Sequence, residues 1–89
     1  MDEKMKTRIQ NMALRTWDYI GGDCLKALED DGQPAVMPKD HVIEVVCDAS
    51  YMHYHGGDKE AYEAWNKLPT YKEKKAVVEP AFLSNSYGW

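Results

Sequence analysis

The sequence predicts an all-α fold of about four helices, with one long N-terminal helix and an aromatic C-terminal tail, and three observations carry that expectation. Apolar residues recur at steps of three and four through most of the chain, the spacing that lines one side of a helix. Glycines, prolines and short polar residues fall where those runs stop and start. The one β-branched run, Val42-Ile43-Glu44-Val45-Val46, fails as a half-buried strand, because alternation would set Val42 and Val46 beside Glu44 and Asp48.

From Asp2 to Asp30, Met5, Ile9, Ala13, Trp17, Ile20, Cys24 and Leu28 form one apolar stripe. Lys4, Arg8, Asn11, Arg15, Asp18, Gly22, Lys26 and Glu29 collect on the opposite face, so the segment is amphipathic throughout. Asp2 and Glu3 suit the positive end of the helix dipole. Gly21-Gly22 falls inside this helix, but the stripe keeps its phase across the pair. One long helix is therefore expected, with the glycines admitting a close neighbour or a bend; a break with Asp23 capping a second short helix is the competing arrangement.

Gly32 and Pro34 end the long helix, and the segment 32–38, with its two prolines, reads as a loop. A second helix is expected to begin between Pro38 and Asp40 and to run to His55, with Val42, Val45, Val46, Ala49, Met52 and His53 on its apolar side and Ile43 widening it. Gly56-Gly57 closes it. Asp58 is placed to cap a third helix carrying Ala61, Tyr62, Trp65 and Leu68, which Pro69 stops. Thr70-Tyr71-Lys72-Glu73 has the form of a capping box for a fourth helix, and Pro80 is expected to halt that helix at Glu79, leaving an apolar tail. The echo between Tyr19-Ile20-Gly21-Gly22-Asp23 and Tyr54-His55-Gly56-Gly57-Asp58 lacks matching flanks and reads as chance.

A chain of 89 residues has too few apolar side chains for two cores, so residues 1–89 are expected to form a single helical domain. Its composition, 44% hydrophobic and 29% charged, is that of a globular protein rather than a disordered one. No apolar run approaches the roughly 20 residues of a membrane span, and the mixed-charge N-terminus has no secretory h-region, so a cytoplasmic location is the expectation. Cys24 and Cys47 read as buried free thiols. A net charge of −4 argues against general nucleic-acid binding, and the patch Tyr71, Lys72, Lys74, Lys75 is offset by Glu73 and Glu79. Asp31, Asp40, Glu44, Asp48 and Asp58 against Lys39 alone make the middle of the chain acidic, a charge that suits a basic partner.

Two function classes emerge. His41, Glu44, Asp48, Tyr51 and His55 follow at steps of three and four, so one edge of the second helix offers His41, Glu44, Asp48 and His55 to a divalent metal such as zinc; two such ligands hold a metal weakly and others, Asp58 or His53, would be needed. The plainer account of that edge is the wet side of an amphipathic helix, with no cofactor. No nucleophile elbow, P-loop or dinucleotide pattern is present, so an enzyme is the less favoured class. The aromatic supply points elsewhere: six tyrosines, three tryptophans and one phenylalanine are many for such short elements, and Tyr51, Tyr54, Tyr87 and Trp89 have no place on the core stripes. Exposed amphipathic aromatics are enriched at protein interfaces. The expectation is a small non-catalytic protein that binds a protein partner through Glu44, Asp48, Tyr51, Tyr54, Tyr87 and Trp89, comparable in size and acidity with accessory and inhibitor proteins of mobile elements. A first helix about 40 Å long exceeds what three short helices cover, which makes a homodimer the expected assembly.

Overall fold

The computed structural model describes residues 1–83, and within them every regular element is helical: α1 Glu3–Asp30, α2 Lys39–Val46, α3 Ala49–His55, α4 Lys59–Asn66 and α5 Tyr71–Leu83. Helix α1 sets the shape, since the molecule measures 42 × 24 × 20 Å and 28 residues at 1.5 Å each span about 42 Å. The Asp2 carboxylate caps its start by accepting from the Met5 amide at 2.7 Å. Its end is a Schellman turn, in which Gly32 N–H donates to the Glu29 carbonyl and Gln33 N–H to the Leu28 carbonyl, both at 2.9 Å, with Gly32 at φ +77°.

The stripe expected on α1 is the one that faces the core, widened by Met12 and Thr16. Ile9, Met12, Ala13, Thr16, Trp17, Ile20 and Gly21 are buried, whereas Met5, Cys24 and Leu28 are half-buried. Thr16 satisfies its hydroxyl inside the core by donating to the Met12 carbonyl at 2.9 Å. The helix passes unbroken through Gly21-Gly22. The neighbour that needs Gly21 is the helix's own Trp17, whose indole Cε2 would stand 2.8 Å from a Cβ there.

The polar face of α1 is less solvated than its composition suggests. Arg8 and Arg15 reach across to the turn between α3 and α4, Arg15 donating from Nε to the Gly56 carbonyl at 2.7 Å. Gly56 is pressed against α1 so closely that a Cβ would overlap Met12 and the Met52 carbonyl, and Gly57 turns the chain at φ +71°.

Two boundaries differ from expectation, giving five helices rather than four. The segment 40–55 is two helices, because Asp48 leaves helical geometry and its carboxylate accepts from the Ser50 amide at 2.9 Å and the Tyr51 amide at 3.4 Å. An Asp offers the backbone this alternative to continuing a helix. Ala49 and His53, expected on the apolar side, are consequently exposed, and Met52 alone of α3 is buried. The second difference is α5, which continues through Pro80 to Leu83. A proline inside a helix costs roughly 3 kcal/mol, and burial of Phe82 and Ala81 at 0% and 5% exposure offsets it, since one fully buried large apolar side chain contributes roughly 1.5 to 3 kcal/mol.

Helices α2 to α5 deliver Val42, Ile43, Val46, Met52, Ala61, Trp65, Val78 and Phe82 to one core against α1. Trp65 is the largest fully buried side chain among the described residues; its Nε1 donates to the Lys74 carbonyl at 3.2 Å, and the Lys74 ammonium lies 5.5 Å from the ring centre. The Asp58 and Thr70 caps stand as the sequence places them, accepting from the Ala61 and Glu73 amides at 3.2 Å each. No helix among the described residues is long and apolar enough to cross a membrane.

Candidate interaction surface

The break at Asp48 disperses the edge of residues proposed for metal binding. His41 and Glu44 remain neighbours on α2, Nδ1 to Oε2 at 3.8 Å, with both side chains well exposed. Asp48 is committed to the α3 amides, and His55 turns toward α1, where its ring stacks on Tyr19 with centroids 5.2 Å apart. Among the described residues no three His, Cys, Asp or Glu side chains are grouped to hold a metal ion.

The short helix α3 instead becomes the centre of an aromatic surface. Tyr54 is 80% exposed, Tyr19 69% and Tyr51 43%, far more than large rings leave in water inside a core. Tyr54 is held by other rings: His53 meets Tyr54 edge-on at 5.7 Å and Tyr62 at 5.0 Å, and Tyr62 in turn leans on Trp65 at 6.1 Å. This chain anchors an exposed tyrosine to the buried tryptophan, fixing a side chain that would otherwise lose rotamer freedom on contact. Beside it lies a cleft of about 360 Å³, lined by His53, Tyr54, Gly57, Asp58, Lys59 and Tyr62.

Asp58 is held in place from below. Arg8 grips its carboxylate with two hydrogen bonds, Nε to Oδ2 at 2.9 Å and Nη2 to Oδ1 at 2.7 Å, and its Nη1 reaches Glu60 at 3.2 Å. The Arg8 hydrogen bonds pull the Asp58 carboxyl below the usual aspartate range. The same carboxylate thus caps α4 and ties α4 to α1, and its charge is no longer part of the acidic middle of the chain.

Neither cysteine is an activated nucleophile. Burial pushes the Cys47 thiol up to about 11, opposed weakly by Lys75 and Lys74, and burial followed by the charge of Asp23 raises Cys24. Glu44, the remaining acidic residue expected at the interface, is exposed on α2. Tyr87 and Trp89 lie outside the described residues. Tyr19 and His53 are members of the surface that periodicity did not select; the repeated Tyr-x-Gly-Gly-Asp string was the available signal, since its Tyr19 and His55 meet in space. The string remains no repeat in structure, one glycine pair being helical and the other forming a turn.

No protein-family model, no curated protein and no solved structure matches this chain.

Proposed function

We propose that the chain is a small protein-binding protein whose contact surface is the tyrosine cluster of α1 and α3. The observation that carries this reading is the exposure of Tyr19, Tyr51 and Tyr54, of which Tyr19 rests on the ring of His55 and Tyr54 on that of His53. Tyrosine supplies large contact area at low entropic cost, and interface hot spots are enriched in it. The arrangement offers chemistry of recognition: apolar ring faces, phenolic donors, and the imidazoles of His53 and His55.

The test is affinity capture from the native host with the tagged chain and with a Tyr51→Ser, Tyr54→Ser double variant whose helicity is checked by circular dichroism. The expected result is one protein recovered at fixed stoichiometry by the parent chain and lost by the variant, because removing two hot-spot tyrosines at about 2 kcal/mol or more each weakens binding by more than a hundredfold. Equal recovery by a folded double variant would reject the surface.

A further inference from the structure

The far end of the molecule carries a second feature that the tyrosine surface does not use. Beyond Gly21 no residue of α1 is fully buried, and the half-buried Cys24 and Leu28 form one wall of a groove of about 380 Å³ whose other wall is Met37 and Val45, with Val36, 61% exposed, at its lip. Residues 18–48, which build this end, hold eight carboxylates against two lysines, a net charge of −6, while residues 1–17 carry +2 and residues 49–89 carry zero, together the −4 of the whole chain. The excess negative charge therefore falls within the stretch of sequence that contains the groove residues. Helical spacing sets Asp23 and Asp30 alongside Ala27 on one wall, and Glu44 beside His41, a lining residue of the other, at 3.8 Å.

The placement opposes stability. Glu29 and Asp30 lie in the last turn of α1 and Asp31 at its C-cap, with no basic residue in that turn, so three carboxylates stand at the negative end of a 28-residue dipole. Each such charge opposes the dipole, whereas a lysine there would complement it. An arrangement that costs stability is accounted for when a cation arrives to meet it.

We infer that this groove receives a basic amphipathic helix of a partner protein, whose apolar residues enter between α1 and α2 while its lysines and arginines meet the acidic rim. A second copy of the chain is the poorer occupant, since it would bring one −6 end against another. The inference concerns a different surface from the tyrosine cluster and stands or falls separately.

The experiment is an amide-resolved NMR titration of the full chain with two synthetic amphipathic peptides about 16 residues long, roughly 24 Å as helices, sharing a leucine stripe but bearing lysine or glutamate on the polar face. The lysine peptide is expected to shift the amides of Cys24, Leu28, Val36 and Val45, to bind about tenfold or more tighter than the glutamate peptide, and to weaken steeply between about 0.05 and 0.3 M salt. Val36→Asp, at an exposed position, should abolish this binding while leaving the Tyr51 and Tyr54 resonances in place, and Asp30→Lys with Glu44→Lys should remove most of the preference for the lysine peptide. Equal binding of both peptides, no binding, or shifts centred on Tyr51 and Tyr54 would overturn the inference. So would groove resonances that move on dilution with a matching dimer in sedimentation, which would make the occupant a second copy.

Discussion

Replacing Asp48 by alanine distinguishes a helix cap from an ordinary position on a helix by the sign of its effect. At the start of α3 the Asp48 carboxylate accepts from the amides of Ser50 and Tyr51 at 2.9 and 3.4 Å. Helix α3 has seven residues, too few to persist without its packing and its cap. Loss of an N-cap of this kind costs about 1 kcal/mol, which in a domain of this size lowers the melting temperature by roughly 4 to 8 °C. Had residues 40–55 formed one uninterrupted helix, the same substitution would replace a poor helix former by the best one and stabilise the chain by up to about 0.7 kcal/mol. Asp48→Asn retains an oxygen acceptor and should stay within a few tenths of a kcal/mol of the parent. Thermal melting followed at the helical circular dichroism band measures all three proteins. An alanine variant that melts at or above the parent temperature would refute the break between α2 and α3, and with it the geometry of the tyrosine surface.

Gly22 and Gly56 should respond in opposite directions to alanine. Gly56→Ala places a methyl against Met12 and the Met52 carbonyl and should cost roughly 1 to 3 kcal/mol in urea unfolding, whereas Gly22→Ala, which meets nothing within 4 Å in a helix, should gain about 0.5 to 1 kcal/mol. Stability should also depend on pH through Asp58, whose carboxyl titrates lower in the folded chain than in the unfolded one. Its contribution is fully present above the unfolded value near pH 4 and disappears as pH falls through the depressed folded value; urea midpoints of the parent and an Arg8→Gln variant should therefore differ at neutral pH and converge in acid. Phe82→Ala, removing a ring with no exposed surface, should cost about 3 to 5 kcal/mol by chemical denaturation, a loss far too large for a residue in a solvated tail beyond Pro80.

Short-range contacts are the part of the fold that residue order alone reveals. The course of α1, its Asp2 cap and Gly32 end, the Asp58 cap and the Thr70 start all rest on hydrogen bonds spanning three to five residues, and periodicity shows which side of such a helix is apolar. Tertiary structure decided the competitions that local chemistry leaves balanced. At Asp48 the capping conformation wins over continuation, although Val45, Ala49 and Met52 are spaced in sequence as on one helix face. At Pro80 burial of Ala81 and Phe82 outweighs the lost hydrogen bond. The sites followed the same division: His41 and Glu44 stay adjacent because they share one helix turn, while His55 leaves them for Tyr19, and Arg8 finds Asp58, 50 residues away in sequence. Periodicity assigns a residue to a face of its own helix, but only the packing of one helix on another decides what that face meets.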